Sequence, residues 1–352
     1  MLKPRQIAVA SAFLLSALSW VADAQSVRPP DPLFRDDAIL QVRMAAPFAT
    51  LQKERSKTEY LPATWSYTET DGEIRNFGIG VRTRGNYRRE FRTCPFPPLR
   101  INFDKAQVDG TLFDHQDKLK LVTHCRDGSE RYEQYLLREL VAYRIMNELS
   151  DLSFRVRLLR ITYIDTEGKF DDREQFAFLI EDTERVAKRI GKPEVVTQSI
   201  DFLLLNGGYS DLVSMFQFMI GNTDFSQISG AEEENCCHNA KLFGDLAGPV
   251  WSMPYDFDLS GLVNAAYATP NPRFGLRGVT QRLYRGICDF NVHLDETLQT
   301  FRDSQDAIGA LVQSQPGLNA DSRDWLQRYI ERFYRVIEDP RQVDRQIRNK
   351  CR

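Results

Sequence analysis

The sequence predicts an α+β fold with a β-rich N-terminal half and a mostly helical C-terminal half. Between residues 63 and 122, short runs alternate apolar and polar side chains, which is the period of a half-buried β-strand. From about residue 197 onward, apolar side chains instead recur every three or four positions, as on one face of a helix. The length of 352 residues is enough for one large domain or for two lobes with a substantial core.

The N-terminal half contains several predicted strands and a single predicted helix. The strand patterns lie at 63–68, 77–84, 99–103, 119–122, 158–164 and 175–180. The helix is predicted within 130–149, where apolar residues from Tyr132 to Met146 form one stripe. Residues 39–190 therefore consist of strands, one helix and further strands.

The C-terminal half is predicted to hold helices near 209–220, 294–313 and 321–338, with a short one after Pro340. Asp321 or Ser322 is a candidate N-cap of the third helix, because a side-chain oxygen there accepts hydrogen bonds from free helix N–H groups. The stretch 259–292 is rich in Gly, Pro, Asn and Arg and has no clear period. It predicts a long ordered loop near the active face.

The N-terminus has the pattern of a secretory signal peptide. Lys3 and Arg5 precede an apolar run over 7–21, and a small-residue cleavage site follows at 22–24. We therefore predict a signal peptide at 1–24, a proline-rich linker at 25–38 and a secreted or periplasmic protein. The apolar run is short for a bilayer-spanning helix, so we predict no integral membrane segment after cleavage.

Charge and cysteine content narrow the class of protein. The net charge of −3 creates no overall field toward nucleic acid, and we predict no nucleic-acid partner. Six cysteines, an even number, indicate disulfide bonds in an exported protein. The adjacent Cys236 and Cys237 are predicted to bond elsewhere, because a bond between them closes a strained ring. A zinc site is disfavoured, since His238 beside this pair lacks the usual ligand spacing.

Residues 221–258 carry the most specific chemical pattern. Asp224 follows a helix-like run at a Gly-Asn-Thr-Asp turn, Asn239 follows an acidic insert, and Asp256 follows a β-like run. Phosphoryl transfer uses one Asp to orient the nucleophile, and an Asn and a second Asp to hold Mg²⁺ against the phosphates. This order predicts Asp224 as the catalytic residue, with Asn239 and Asp256 as metal ligands. Asn235 is an alternative to Asn239.

Five short motifs in order resemble the spore coat protein H (CotH) kinase family. They are Thr-Arg-Gly-Asn at 83–86, Leu-Leu-Arg at 136–138, Phe-Leu-Ile-Glu at 178–181, Gly-Asn-Thr-Asp at 221–224 and Pro-Tyr-Asp-Phe-Asp at 254–258, and a His-Asn pair at 238–239 of the same family pattern lies between the last two. The last two are also similar to segments of HipA-type kinases. The resemblance covers about residues 80–260. It implies a two-lobed, protein-kinase-like fold, with an N-lobe at 39–190, a C-lobe at 191–352 and the catalytic segment at 221–258.

The same resemblance implies the cationic residues that hold a nucleotide. The chain has neither a P-loop nor a glycine-rich GxGxxG loop. In their place, Arg84 lies in a basic turn after a strand, and Lys120 is placed like the phosphate-pairing lysine of kinases, with Lys118 as the alternative. Arg138 matches the family's Leu-Leu-Arg motif, and Glu181 ends the strand that leads to the lobe hinge. Glu133 or Glu139 is a candidate for orienting one of these cations.

The function implied by the resemblance is transfer of phosphate from ATP to Ser or Thr hydroxyls of an exported or cell-surface protein. Mg²⁺ is the expected metal, with Mn²⁺ as an alternative. Two other functions stay open. One is a pseudokinase that serves as a binding or surface-assembly protein, and the other is an enzyme of the same fold that transfers AMP. Export favours the first of these, because ATP is scarce outside the cytoplasm.

Overall fold

A closed seven-stranded β-barrel forms the N-terminal half of the protein. The computed structural model describes residues 27–69, 71–230 and 234–352. The barrel strands are β1 (Leu40–Ala46), β2 (Leu61–Thr68), β3 (Ile74–Thr83), β4 (Leu99–Phe103), β5 (Lys118–Val122), β6 (Val156–Asp165) and β7 (Arg173–Ile180). Their order around the barrel is β1-β2-β3-β4-β5-β7-β6. Neighbouring strands are antiparallel except β1 and β6, which run parallel and close the barrel.

The predicted two-lobed, protein-kinase-like fold is wrong. That fold requires a lobe built on an ordinary β-sheet, whereas the barrel leaves no free sheet edge. The closure depends on β1, which pairs with β6 from Leu40 opposite Leu159 to Ala46 opposite Asp165. The pairing spans more than a hundred residues of sequence, and nothing in the local alternation of either strand specifies it.

Aromatic side chains fill the interior of the barrel. Trp65 is fully buried, and its ring meets the rings of Phe103 and Phe113 edge to face at 5.7 Å in both cases. Phe77 packs against the same two rings. Buried rings in edge-to-face contact stabilise a core beyond their area alone, so the barrel has a core of its own.

Nine α-helices lie within the described residues. They are α1 (Phe48–Glu54), α2 (Lys105–Val108), α3 (Glu130–Leu149), α4 (Thr183–Ile190), α5 (Gly207–Ile220), α6 (Leu294–Asp303), α7 (Gln305–Ser314), α8 (Ala320–Glu338) and α9 (Pro340–Gln346). The predicted helices at 130–149, 209–220 and 321–338 are confirmed. The region predicted as one helix at 294–313 is two, separated at Ser304. Asn319 caps α8 in place of Asp321 or Ser322, accepting the Ser322 N–H.

Helix α3 joins the barrel to the C-terminal helices. Its apolar stripe packs on β6 and β7 on one side and on the later helices on the other, in a second core that includes Tyr143, Phe178, Phe216 and Phe333. Thirteen of its 20 residues are buried, as expected for a helix covered on both sides. The helix therefore sets the position of the barrel rim relative to the segment that follows α5.

A small three-stranded sheet follows α5. Its strands are β8 (Glu194–Val195), β9 (Ala240–Gly244) and β10 (Val250–Pro254), in the order β10-β9-β8. The predicted β-run before Asp256 is β10. Asn239 immediately precedes β9 and Asp256 lies two residues beyond β10, and the antiparallel pairing of these strands puts Ala240 opposite Pro254. The sheet thus brings Asn239 and Asp256 to the same end.

All six cysteines form disulfide bonds. The pairs are Cys94–Cys125, Cys236–Cys237 and Cys288–Cys351. The prediction that Cys236 and Cys237 bond elsewhere is wrong, because the other four cysteines already pair with one another at Cα–Cα distances of 4.7 and 4.9 Å. The Cys94–Cys125 bond ties the segment after β3 to the end of β5.

The predicted signal peptide at 1–24 lies outside the described residues. The described part of the predicted linker, 27–38, packs on the barrel: Leu33 and Phe34 are buried in its core, and Asp31 pairs with Arg185 on α4 at 2.7 Å. Among the described residues, no helix is both long enough and apolar enough to cross a bilayer.

Candidate functional site

A cavity of about 680 Å³ opens between the barrel rim and the small sheet. Its described lining comes from Lys57, the end of β3 and the turn after it, strands β4 and β5, Asp224, residues 234–241 and the residues after β10. Five predicted site residues line it together: Arg84, Lys120, Asp224, Asn239 and Asp256. These positions are widely separated in sequence, and the fold brings them to one place.

The other two predicted site residues lie elsewhere. Arg138, on α3, donates hydrogen bonds to Ser322 Oγ at 3.0 Å and to the Val263 carbonyl at 3.2 Å, so it holds α3 to the later helices. Glu181 is buried and accepts hydrogen bonds from Arg189 at 2.9 Å. Both side chains serve packing, and neither contributes to the lining of the cavity.

Asp224 is held in one orientation by its neighbours. Helix α5 ends at Gly221, whose φ of 64° turns the chain, and the Asp224 N–H then donates to Asn222 Oδ1 at 2.9 Å. Its carboxylate meets His238 Nε2 at 2.9 Å and accepts from Asn239 Nδ2 at 3.0 Å. Because its side chain is 34% exposed, the carboxylate is fixed yet open to the cavity. This combination suits a group that orients a substrate hydroxyl.

His238 is a functional candidate that the sequence did not single out. The sequence gives it no role beyond the His-Asn pair and a disfavoured zinc site, yet its ring contacts the Asp224 carboxylate. The hydrogen bond to Asp224 raises the pKa of His238, against the opposing effect of burial. The sequence could have indicated a role for His238 through its position next to Asn239. Only the folded loop shows that both residues contact the same carboxylate, that of Asp224.

Arg88 connects the carboxylates at the base of the cavity. It pairs with Glu139 on α3 at 2.8 Å, with Asp256 at 2.9 Å and with Asp258 at 3.1 Å. The sequence placed Arg88 in a basic turn but favoured Arg84 within it. Of Glu133 and Glu139, the two carboxylates considered for orienting a cation, Glu139 pairs with Arg88. A buried arginine with three carboxylate partners is a rigid anchor for the residues around it.

Asp256 is positioned by its backbone as well as by Arg88. Its φ of 64° is in the left-handed region, and its N–H donates to the Tyr143 hydroxyl at 2.8 Å. Burial acts to raise the pKa of Asp256, but the charges of Arg88, Arg84 and Lys120 outweigh it and hold the pKa below the usual value. Asp256 is therefore an ionised carboxylate at neutral pH.

Two cations of the cavity, Arg84 and Lys120, form no direct ion pair among the described residues, and Asp256 is the nearby carboxylate that opposes their charge. Burial, together with the nearby charges of Arg84 and Arg100, lowers the pKa of Lys120 to about 7. The Lys120 ammonium lies 4.0 Å from the centre of the Tyr255 ring. Within the described part of the chain, Arg84 Nε and Nη2 are buried without a hydrogen-bond partner. Unsatisfied buried donors are costly, and because Arg84 also lines the cavity, its guanidinium is a candidate group for binding an anion.

The described lining of the cavity is cationic overall. It contains seven Lys and Arg side chains: Lys57, Arg82, Arg84, Arg88, Arg100, Lys120 and Lys241. Four carboxylates accompany them: Asp224, Glu234, Asp256 and Asp258. Since the chain as a whole carries −3, the local excess of positive charge runs against the overall balance. A cavity of this sign concentrates multiply charged anions.

A metal ion would need ligands from a bound anion. Over residues 27–69, 71–230 and 234–352, no group of three or more His, Cys, Asp and Glu side chains is arranged to hold a metal ion. Mg²⁺, however, is commonly held by one or two carboxylates together with substrate phosphates and water. Asp256 and the amide oxygen of Asn239 fit that more limited role.

The fold and the cavity define a class: a β-barrel protein with a helical C-terminal half and a cationic, carboxylate-bearing cavity between them. Neither a scan against protein-family models nor a search of curated proteins finds a match to this chain. The resemblance to the CotH kinase family therefore stays a prediction that rests on the five motifs.

We expect the pH dependence of anion binding to report the charge of Lys120. With a pKa of about 7, Lys120 is protonated below that pH and must take up a proton to meet an anion above it. The affinity of wild type relative to Lys120→Met should therefore fall by about tenfold between roughly pH 6 and pH 8. Isothermal titration calorimetry with pyrophosphate gives the affinity of each protein. Pyrophosphate itself changes protonation over this pH range, but the change affects both affinities equally and cancels in their ratio.

Lys118→Met is the matched control for this experiment. Lys118 lies on the same strand, is exposed and does not line the cavity. Its affinity should follow that of wild type at every pH. A constant ratio of wild type to Lys120→Met across the range would show that Lys120 does not meet the anion.

Proposed function

We propose that the cavity binds ATP with Mg²⁺ and transfers a phosphoryl group to a Ser or Thr hydroxyl of a protein. The observation that supports this is the meeting of Asp224, Asn239 and Asp256 with a set of poorly neutralised cations in one cavity. Phosphoryl transfer depends mainly on positioning and on electrostatic stabilisation, and these groups supply both. The proposal rests on the site and does not require a kinase-like fold.

The cations stabilise the phosphates. Arg84 lines the cavity with a guanidinium group, and Lys120 lines it with an ammonium whose charge is favoured once an anion is near. A guanidinium binds phosphate oxygens through paired hydrogen bonds, while an ammonium acts as a compact charge. Together they offset the negative charge that spreads over the transferring group.

Asp256 and Asn239 would hold Mg²⁺, with Mn²⁺ as an alternative. Such a cation would supply positive charge to the phosphates of a bound nucleotide. The chain keeps both residues in place beforehand, since the Asn239 carbonyl accepts from the Tyr255 N–H at 3.0 Å and Arg88 holds Asp256. Pre-positioned ligands avoid reorganisation during the reaction.

Asp224 orients the acceptor hydroxyl. In the transfer step the hydroxyl oxygen forms a bond to the terminal phosphorus, and the bond from that phosphorus to its bridging oxygen breaks. The hydroxyl proton passes to the Asp224 carboxylate, and ADP leaves with the electron pair of the broken bond. His238 and Asn239 position the carboxylate for this role through their contacts with it.

The protein substrate is proposed to be exported or at the cell surface, which is also the location proposed for this chain. The N-terminal sequence pattern and the three disulfide bonds support that location. Membership of the CotH kinase family is part of the same proposal and is supported by the five motifs.

One observation favours a second function, that of a binding protein without catalysis. Arg88 already forms an ion pair with the Asp256 carboxylate, so fewer lone pairs of that carboxylate are free to bind a metal ion. An anion-binding surface protein would need the cations of the cavity but none of the carboxylates. The third candidate function, transfer of AMP, would use the same cavity. Its product, a protein that carries AMP, distinguishes it from phosphate transfer and from binding without catalysis.

Thermal unfolding with and without nucleotide tests the proposal. ATP with Mg²⁺ at a hundredfold excess over its Kd should add about 2.7 kcal/mol of stability. Arg84→Met should lose most of this gain, whereas the exposed Arg92→Met should keep it. Mass spectrometry of a protein substrate after incubation then distinguishes added phosphate, added AMP and no modification. Binding without modification would favour the non-catalytic function, and the absence of any shift would remove nucleotide binding altogether.

A further inference from the structure

A second, smaller cleft adjoins the cationic cavity at Asp224. Its volume is about 250 Å³. It is lined by Tyr87, Thr223, Asp224, Leu259, Thr269, Pro270, Asn271, Pro272 and Val279. Tyr87, Asp224 and Leu259 also line the cationic cavity, so the two spaces meet at these residues. Asp224 therefore faces a charged space on one side and the cleft on the other.

The cleft differs from the cavity in its chemistry. Among its described lining residues, Asp224 is the one carboxylate, and none is a Lys, Arg or His. Pro270 and Pro272 have no backbone N–H to offer, and Leu259 and Val279 are apolar. A charged side chain that entered this space would lose hydration without finding an opposite charge, apart from a cation close to Asp224. The cleft thus favours uncharged groups.

The walls of the cleft are held by hydrogen bonds. The Tyr87 hydroxyl donates to the Tyr267 carbonyl at 2.7 Å, which fixes one wall to the loop before Thr269. Arg285 donates to the carbonyls of Thr223 and Phe225 at 2.8 and 2.6 Å, on either side of Asp224. The floor and one wall are therefore tied to the rest of the protein before a substrate arrives.

We infer that this cleft receives the acceptor residue of the substrate, a Ser or Thr whose neighbours in the chain are uncharged. The inference rests on the proposed function and names the substrate class for it. The volume lies below the roughly 300 Å³ of the smaller small-molecule pockets, so it suits one or two amino-acid side chains rather than a whole small molecule. The position of Asp224 at the boundary lets an acceptor hydroxyl reach phosphate held by Arg84 and Lys120.

The occupant that competes with this assignment is the base of the nucleotide. A base would also be favoured by uncharged walls and by the Tyr87 ring. Placing it here would, however, put the residue that orients the acceptor beside the base and away from the terminal phosphate. Measuring the peptide KM and the Kd for ATP in variants of the cleft distinguishes an acceptor residue from a base as the occupant.

The test uses peptides with a single Ser or Thr and flanking residues that are Ala, Leu, Lys or Glu. With ATP and Mg²⁺, peptides with Ala or Leu flanks should be phosphorylated with kcat/KM at least about tenfold above those with Lys or Glu flanks. Thr269→Trp, at an exposed position on the cleft wall, should raise the peptide KM by about tenfold or more and leave the Kd for ATP unchanged. Ala266→Trp, exposed in the same loop but outside the cleft lining, should behave like wild type.

A second variant tests the cleft by a gain of activity. Thr269→Arg places a cation on the wall and should raise kcat/KM for peptides with Glu flanks relative to those with Ala flanks. The acceptor assignment would be overturned if peptides with all four kinds of flanking residue were phosphorylated equally well. It would also be overturned if neither Thr269 variant changed the peptide KM. In both cases phosphorylation itself would still support the proposed function. Loss of ATP binding in Thr269→Trp would assign the cleft to the base. Failure of wild type to bind ATP would overturn both proposals.

Discussion

Asp224→Asn is expected to lower turnover by about 10²–10⁴-fold, the usual contribution of a general base. The substitution is nearly isosteric, and it removes the negative charge that accepts the hydroxyl proton. Asn239 Nδ2 can still donate to the amide oxygen, and a neutral His238 Nε2 can accept from the amide N–H, so the loop should stay in place. The Kd for ATP should change little, because the cations that hold phosphate are separate from Asp224. Steady-state kinetics together with calorimetric binding measures both quantities.

Asp256→Asn should give the contrasting result. If Asp256 helps to hold Mg²⁺, its loss removes the dependence of ATP binding on Mg²⁺ as well as turnover. Asp172→Asn, an exposed carboxylate in the turn before β7, is the control for the chemical change alone. Loss of nucleotide binding in Asp224→Asn with full activity in Asp256→Asn would reverse the two roles. Full activity in both variants would remove phosphoryl transfer as the function.

Arg88→Met is expected to destabilise the fold by about 3–5 kcal/mol, since it leaves buried carboxylates without their counter-ion. Arg88 is 8% exposed, and its partners Glu139 and Asp258 are 1% and 9% exposed, so water cannot replace it. Arg92→Met, at an exposed position of the same segment, should cost less than about 1 kcal/mol. Unfolding by urea, followed by circular dichroism, gives the free energy of unfolding for each variant.

The deficit of Arg88→Met should depend on pH. Burial already raises the pKa of Glu139 in the presence of Arg88, and it should do so further in its absence. A carboxylate whose pKa is higher in the folded than in the unfolded state binds more protons when folded, so stability falls as pH rises. The deficit should therefore be larger at pH 8 than at pH 5. The double variant Arg88→Met/Glu139→Gln should recover part of the lost stability. If the loss of unfolding free energy in Arg88→Met does not change with pH, it comes from lost packing and not from an unpaired carboxylate.

Several features of the site were predictable because they depend on local sequence. The Gly-Asn-Thr-Asp turn at 221–224 ends α5 as its glycine suggests, and the β-run before Asp256 is β10. Each pattern is decided by neighbouring residues, through backbone conformation and the period of apolar side chains. The order of these residues then led to Asp224, Asn239 and Asp256, which share the cavity with Arg84 and Lys120.

The features that the sequence did not reveal share a dependence on distant contacts. Arg138 and Glu181 follow family motifs, but their partners on other elements, Ser322 and Arg189, make them packing residues. Cys236 and Cys237 bond to each other because the remaining cysteines find their partners through the fold. Arg88 is indistinguishable in sequence from Arg89 beside it, and only burial against Glu139 makes it an anchor.

By itself, the sequence determined the β-rich and helical halves, the catalytic-type turn and the candidate carboxylates, because each is encoded within a few residues. The tertiary structure alone decided that the strands close into a barrel, since Val42 must pair with Ile161 far along the chain. It also decided the charge of the site, because the pKa of Lys120 and the ionisation of Asp256 follow from burial and from neighbours brought together by folding. Local patterns specify elements, whereas pairing and electrostatics depend on distances between elements that sequence spacing does not contain.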